Sequence, residues 1–202
     1  MIKIHDSKLS GNAWKIRILL GNLGIPFERV TYALPERKTY TAEYLQKNPL
    51  GKVPVVELED GRTIFESNAI LFYFAQGTEL LPKDGLASAR VMQWMFFEQN
   101  EVMLNLSLPR FWIGIKKAKT ENLEQIKARQ EAGYKSLQIM EEHLATNQYF
   151  VGNQYTIADI SLYPYAAVAH EGEYEMQRFP HIQAWFERVR AQPGYIPLLT
   201  SS

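Results

Sequence analysis

Residues 48–75 read NPLGKVPVVELEDGRTIFESNAILFYFA, and this stretch decides the fold. Pro54 stands directly before an apolar run, which predicts a strand at 55–58. Proline cannot donate a hydrogen bond to a sheet ladder, so it belongs at the start or the edge of a strand. The rest of the stretch predicts a tight turn, a second strand and a capped helix.

The turn is predicted at Asp60-Gly61, because a two-residue hairpin turn needs positive φ at its centre. The return strand is expected at 62–65. This arrangement would set Glu59 opposite Arg62, which is a favourable cross-strand pair. Residues 55–65 therefore predict an antiparallel hairpin.

A helix is predicted after the hairpin, with its apolar face formed by Ile70, Leu71 and Phe74. Ser67 is expected to cap it, because a serine oxygen can accept a free first-turn N–H. The helix start also offers unpaired N–H groups and a positive dipole end, which together bind carboxylates. Glu66 beside it can hold an ammonium group. The pair fits the α-amino-acid end of a ligand; the alternative is that Ser67 only caps and Glu66 only faces water.

Composition excludes several classes of protein. The 202 residues are 46% hydrophobic and 22% charged, which allows one large or two small globular domains. Net charge is zero, which argues against a nucleic-acid binder and a basic membrane-surface protein. The chain has no cysteine, so disulfides, thiolate metal sites and a protein thiol nucleophile are excluded. Without an apolar signal region or a run of about 18 apolar residues, we expect a cytoplasmic protein.

The chain on either side of the stretch 48–75 divides into two predicted domains. Before it, a strand at 1–5, a helix at about 12–23 capped by Asn12 and a strand at 27–32 predict a parallel β-α-β unit. A short helix at 41–47 completes the order β-α-β-α-β-β-α, which fits an α/β domain over residues 1–77.

After a linker at 78–86, residues 87–202 are predicted to be all-helical. A long helix is expected at 86–114, and further helices are expected at 123–144, at 156–170 and at 180–190. The helix at 156–170 begins with a capping box formed by Thr156 and Asp159. Pro164 within it is expected to kink or break the helix.

The motifs Gly51-Lys52-Val53-Pro54, Glu66-Ser67-Asn68-Ala69-Ile70 and Thr156-Ile157-Ala158-Asp159, in this order and spacing, resemble cytosolic glutathione S-transferases of the bacterial serine type (theta- or delta-like). The resemblance covers nearly the whole chain. It implies a thioredoxin-like N-terminal domain followed by an all-α domain, a homodimer, and a cis peptide bond before Pro54.

Glutathione is the co-substrate that this resemblance implies. Carried over by residue, Glu66 and Ser67 would hold its γ-glutamyl end, and the backbone of Val53 would pair with its cysteinyl unit. Lys52 would lie near the glycyl carboxylate, and Lys38 is a candidate second cation, although a solvated role for it stays open.

The resemblance places thiol activation near the first helix. Serine-type members donate a serine hydroxyl to the glutathione sulfur, and Ser10 is the candidate. Such a bond to a charged group contributes about 1.5–3 kcal/mol, enough to lower a free thiol pKa of about 8.5 by about one to two units. This chain reads Ser10-Gly11-Asn12 where many relatives carry Ser-Pro-x-Cys, so Asn12, Ser7 or a backbone N–H stay open as alternatives. His5 lacks partners at metal-ligand spacing, and no metal is expected.

The second substrate is expected to be a small hydrophobic electrophile bound by the helical domain. Arg110, Phe111 and Trp112 are candidates for an apolar wall with one cation; the alternative is that the two aromatic residues belong to the core. The predicted activity is glutathione conjugation. Glutathione-dependent peroxide or disulfide chemistry is a variant, and a non-catalytic binding or scaffold protein of the same fold is the rival.

Overall fold

Four strands form a mixed sheet in the computed structural model, which describes residues 1–33 and 38–198. They are β1 (Ile2–Asp6), β2 (Phe27–Thr31), β3 (Val55–Glu57) and β4 (Thr63–Phe65), in the order β2-β1-β3-β4. β1 runs parallel to β2, whereas β3 is antiparallel to both β1 and β4. The predicted β-α-β unit and the hairpin that follows it are confirmed.

Three α-helices accompany this sheet: α1 (Gly11–Asn22), α2 (Ala42–Lys47) and α3 (Ser67–Ala75). Helix α1 packs against α3. Fully buried apolar side chains from the strands and these two helices form the core, among them Ile4, Ile16, Leu20, Val56, Ile70 and Leu71. This packing fixes the N-terminal ends of α1 and α3, where the predicted site residues lie.

The turn between β3 and β4 differs from its prediction by one residue. The N–H of Leu58 donates to the carbonyl of Arg62 over 2.8 Å, so Leu58 and not Glu59 stands opposite Arg62. Gly61 has a φ of 84°, and the Asp60 carboxylate accepts from the backbone and the guanidinium of Arg62 over 3.0 and 2.7 Å. The loop thus has three residues and closes on a left-handed glycine, a common hairpin form. The predicted Glu59–Arg62 pair is wrong.

The segment 192–198, which we call the C-terminal strap, lies along α1. Three side chains of α1 donate hydrogen bonds to its backbone carbonyls: Trp14 to Ile196 (2.6 Å), Arg17 to Leu198 (3.0 Å) and Asn22 to Pro193 (2.7 Å). Gly21 and Gly194 approach so closely that a Cβ on either would overlap the carbonyl oxygen of the other. By their contacts, the strap and residues 1–76 form unit 1, and Gly77–Ala191 form unit 2.

Helices make up unit 2, apart from an isolated bridge between Val151 and Gln154 in the described residues. The α-helices are α4 (Gly85–Phe97), α5 (Met103–Pro109), α6 (Leu123–Leu144), α7 (Ile157–Ala167) and α8 (Pro180–Arg190). The π-helical segment Glu98–Val102 joins α4 to α5, and a second one, Arg110–Ile115, extends α5, so that one helical run covers 85–115. The predicted long helix is therefore confirmed, as are the bounds of α6 and α8.

The start of α7 carries the predicted capping box. Asp159 is fully buried, and its Oδ2 accepts from the N–H of Thr156 over 3.0 Å. Its Oδ1 accepts from the N–H of Phe150 (3.1 Å) and from the indole of Trp185 (3.0 Å). Burial raises the pKa of this carboxyl to about 6, although its hydrogen bonds oppose the rise. The role of Asp159 is structural, as predicted.

Pro164 does not break α7. The helix continues past the proline to Ala167, and the chain then forms a short 3₁₀ turn at Ala169–Gly172. Helix α7 therefore ends about three residues before its predicted end at residue 170.

Candidate functional site

The N-terminal ends of α1 and α3 meet in unit 1 through three side chains. The ammonium of Lys15 donates to the hydroxyl oxygen of Ser67 over 3.4 Å, and the Ser67 hydroxyl donates to Oδ1 of Asn12 over 3.3 Å. Lys15 is fully buried and Ser67 is nearly so, whereas Asn12 is half-buried. The structure thus brings together two residues that the sequence predicted separately, and adds a buried cation that the prediction missed.

Helix α1 is capped by Ser10, which corrects the prediction of Asn12 as its cap. The hydroxyl oxygen of Ser10 accepts from the N–H of Ala13 over 3.2 Å, and the N–H of Ser10 donates to the carbonyl of Ser7 over 3.0 Å. Asn12 is the second residue of the helix, so its side chain is directed elsewhere. Both candidate donors for a ligand sulfur therefore stand in the first turn of α1.

Helix α3 begins one residue after its own cap position, which Glu66 occupies. The φ of Glu66 is 68°, a value that residues other than glycine rarely adopt, and its side chain makes no capping hydrogen bond. The expectation that Ser67 caps the helix is wrong, because the Ser67 hydroxyl faces α1. The exposed carboxylate of Glu66 and the first N–H groups of α3 thus adjoin each other.

The loop before β3 is held in place by side chains that the sequence analysis did not single out. Asn48 and Tyr44 each donate to the carbonyl of Lys52, over 2.8 and 2.9 Å. Val53 follows with its side chain half-buried, and the Val53-Pro54 peptide bond is cis, as the resemblance implied. The side chain of Lys52 is exposed.

Lys38, the candidate second cation, begins a 3₁₀ turn at Lys38–Tyr40. Its side chain lies outside the described part of the structure. Its role is therefore carried forward as a prediction.

A polar cluster surrounds His5. His5 contacts the hydroxyl of Tyr32 over 2.9 Å and the carboxylate of Glu57 over 3.4 Å. Burial lowers the pKa of His5, whereas a hydrogen bond from Lys47 lowers the pKa of Glu57. Among residues 1–33 and 38–198, no group of three or more His, Asp or Glu side chains is placed to hold a metal ion.

Among the residues that the structure describes, a groove in unit 2 has one of the three second-substrate candidates, Trp112, in its lining. Arg110 is buried, and its guanidinium pairs with Glu171 over 2.8 Å. Phe111 is 39% exposed. The groove has a volume of about 500 Å³ and is lined by Asn105, Leu108, Trp112, Gln125, Ala128, Arg129 and Ala132.

Arg129 lines this groove as a cation, whereas Arg110 is not among its lining residues. The guanidinium of Arg129 donates to Oδ1 of Asn105 over 3.0 Å, and both residues line the groove together with Trp112. Sequence reasoning missed Arg129 because α6 is rich in charged residues, and nothing in the sequence marks this one.

Within the described ranges, no helix is long and apolar enough to span a bilayer.

Two family models match the chain. The glutathione S-transferase N-terminal domain matches residues 7–76, and the glutathione S-transferase C-terminal domain matches residues 99–193. A solved glutathione S-transferase from Pseudomonas fluorescens Pf-5 is 40% identical, with a TM-score of 0.96, over 98% of this chain and 99% of that one.

Curated relatives carry two kinds of name. The glutathione S-transferase-like protein FUS3 of Gibberella fujikuroi is 35% identical over 74% of this chain and 73% of its own length. Elongation factor 1-gamma 2 of Oryza sativa is 32% identical over 97% of this chain. The chain spans about half the length of that elongation factor, 48%.

Proposed function

The chain belongs to the glutathione S-transferase family, and from this premise we propose that it binds glutathione, stabilises its thiolate and conjugates it to a small hydrophobic electrophile. The observation that carries this proposal is the start of α3. Glu66 is held there at a strained positive φ, with an exposed carboxylate and no capping bond of its own. Backbone strain of this kind typically costs about 1–3 kcal/mol and clusters at functional sites.

The start of α3 offers two complementary groups to the γ-glutamyl end. The backbone N–H of Ser67 lies in the first turn of α3, and N–H groups at a helix start favour a carboxylate. The carboxylate of Glu66 favours the ammonium group of the same α-amino acid. Ser67 serves this ligand through its backbone, because its hydroxyl is engaged with α1.

The remainder of glutathione is assigned to the loop before β3. Val53 offers its backbone to the cysteinyl unit as an added strand would. Lys52 supplies a cation for the glycyl carboxylate, and Lys38 is a second candidate for that role. The two hydrogen bonds from Tyr44 and Asn48 to the carbonyl of Lys52 support this assignment, since they fix the backbone next to Val53.

Thiolate stabilisation is assigned to the first turn of α1, by Ser10 or Asn12. A donor there, together with the positive end of the helix dipole, favours the charged sulfur. Without a protein cysteine, glutathione is the only thiol in the reaction, and the protein supplies orientation and charge stabilisation.

Unit 2 is proposed to bind the electrophile. Trp112 gives the 500 Å³ groove an aromatic wall, and Leu108, Ala128 and Ala132 add apolar surface. Phe111 and Arg110 were the other candidates; the ion pair of Arg110 with Glu171 favours a structural role for that residue.

Homodimer formation also stays a proposal. Large apolar side chains are exposed on helices of both units: Phe72 and Tyr73 on α3, and Leu86 and Phe96 on α4. Side chains of this size and exposure are typical of surfaces that a second copy covers.

A non-catalytic binding role is the second candidate, because elongation factor 1-gamma is among the relatives. Such a protein keeps the fold and has no need to ionise glutathione. The two candidates therefore differ in the pKa of the bound thiol.

The test is a calorimetric titration with glutathione, followed by the ultraviolet absorbance of the bound thiolate against pH. We expect the wild-type protein to bind glutathione and to lower the thiol pKa by about one to two units. Glu66→Gln should weaken binding about tenfold or more, since a hydrogen bond to a charged group is lost.

Glu59→Gln is the matched control, because Glu59 is an exposed carboxylate of the same unit that pairs with the terminal amine over 3.0 Å. Equal affinities for wild type and Glu66→Gln would exclude our assignment of the α3 start. Binding with an unshifted thiol pKa would favour the non-catalytic candidate. If the wild-type protein turns over peroxides but no electrophile, the peroxidase variant of the chemistry replaces conjugation.

A further inference from the structure

The hydrogen-bond chain Lys15–Ser67–Asn12 has a direction that the chemistry of its members dictates. A lysine ammonium only donates, so the Ser67 oxygen accepts in the 3.4 Å contact. The single hydroxyl proton of Ser67 then goes to Asn12 over 3.3 Å. The Asn12 atom that receives it must be the carbonyl Oδ1, since the amide nitrogen is a donor.

This direction determines what Asn12 offers to a ligand. With Oδ1 held by Ser67, the amide NH₂ of Asn12 is the group that points away from these hydrogen bonds. In the part of the chain that the structure describes, this NH₂ makes no hydrogen bond, and Asn12 is only half-buried. The side chain therefore presents two N–H donors at the first turn of α1.

Ser10, the other candidate, is held differently. Its oxygen accepts the N–H of Ala13 in the cap, and among residues 1–33 and 38–198 no second group fixes the direction of its hydroxyl proton. A donor that is oriented before the ligand binds stabilises charge better than one that must first be oriented. Of the two residues, Asn12 is the preorganised donor.

We propose that Lys15 is a positioning residue that acts through Ser67 to hold the amide of Asn12 as the hydrogen-bond donor to the glutathione thiolate. This inference rests on the proposed function and deepens it. Lys15 does not touch the ligand. Its buried positive charge polarises the Ser67 hydroxyl and hence the amide, because successive hydrogen bonds in a low-dielectric interior strengthen one another.

The proposal also explains why an amide needs such support. The terminal torsion of asparagine is broad and nearly two-fold, so its oxygen and nitrogen exchange places at little cost. Without Lys15, the Ser67 proton is free to turn, and the carbonyl of Asn12 can face the sulfur. A carbonyl oxygen there would repel a thiolate and raise the thiol pKa.

The experiment measures the pKa of glutathione bound at saturation, by thiolate absorbance, in wild type, Lys15→Met, Asn12→Ala and the double variant. We expect Lys15→Met to raise the bound thiol pKa by about half a unit or more, in the same direction as Asn12→Ala. The double variant should match Asn12→Ala, because Lys15 has nothing to position once the amide is gone.

Arg17→Met is the matched control. Arg17 is a second fully buried cation of α1, but it forms an ion pair with Asp6 and donates to the carbonyl of Leu198 instead of Ser67. Its removal should lower stability and leave the bound thiol pKa unchanged. A pKa rise in Arg17→Met equal to that in Lys15→Met would mean that any lost charge on α1 suffices, and would overturn the proposal.

Two further outcomes are decisive. If Lys15→Met does not fold, Ser67→Ala breaks the same chain without removing the buried charge and must raise the thiol pKa; an unchanged pKa with weakened binding would show that the hydroxyl serves the ligand directly. A wild-type protein that does not lower the thiol pKa contradicts the proposed function itself. A lowered pKa in wild type with no change in Lys15→Met contradicts only the role of Lys15.

Discussion

Helix α7 of unit 2 begins with its first turn closed by its own side chains, whereas helix α3 of unit 1 begins with its first turn open. In α7, Asp159 is buried and accepts from Thr156, Phe150 and Trp185. At α3, the cap residue Glu66 is exposed, strained in φ, and bonds to none of the helix N–H groups through its side chain.

The difference separates a structural helix start from one that can bind. A capping box satisfies two donors of the helix start, so it contributes to stability and leaves those donors unavailable to a ligand. An open start leaves donors and a dipole end for an anion, at a cost in stability. Three experiments test whether this contrast holds.

The largest expected effect is the loss of the closed start. Asp159→Ala leaves three buried N–H groups without an acceptor, each at about 1–3 kcal/mol, so we expect the free energy of unfolding to fall by about 4 kcal/mol or more. Asp84→Ala is the control, since Asp84 caps α4 at an exposed site and its carboxylate accepts from the N–H of Ala87. That change should cost about 1 kcal/mol in urea unfolding. Similar losses in the two variants would remove the contrast.

The closed start should also titrate. The pKa of Asp159 is about 6 in the folded protein against an ordinary 3.8, because burial disfavours the charged form. The folded state therefore holds the proton more tightly. The stability that this bound proton contributes is fully present below about pH 4 and is lost as the pH rises through 6. The free energy of unfolding should fall by about 3 kcal/mol over this range. Urea unfolding of wild type and of the non-titrating Asp159→Asn across this range should diverge; parallel curves would contradict the raised pKa.

The smallest expected effect is a gain in stability at the open start of α3. Glu66→Gly relieves the positive φ and should raise the free energy of unfolding by about 0.5–1 kcal/mol while glutathione affinity falls. Lys117→Gly is the control, because Lys117 has a φ of 56° in unit 2. It should be stabilised in the same way with its glutathione affinity unchanged. A Glu66→Gly protein that binds glutathione as tightly as wild type would show that the backbone strain at Glu66 is unrelated to ligand binding.

Local patterns determined much of the fold. The bounds of α6 and α8 follow from helical spacing of apolar residues and from Pro180, which has no N–H to lose at a helix start. The capping box of α7 is equally local, because Thr156 and Asp159 stand three residues apart. Features of this kind need no knowledge of distant residues.

The structure adds most to the sequence prediction where a distant residue decides what a side chain contacts. Ser67 has the chemistry of a helix cap, yet its hydroxyl bonds to Lys15 and Asn12, over fifty positions earlier in the chain. Arg110 has the chemistry of a pocket cation, but Glu171 takes its guanidinium. Residue type therefore predicted which side chains carry chemistry, and the tertiary packing determined what each one faces.

The C-terminal strap is synthesised last, although it packs on a helix that is synthesised early. Trp14 and Arg17 are translated early, but the carbonyls of Ile196 and Leu198 that accept their hydrogen bonds leave the ribosome only after the whole of unit 2. Unit 2 is an insertion within unit 1 and can fold on the nascent chain. A chain that ends before residue 192 would thus have all of unit 2 attached to an α1 that lacks its strap.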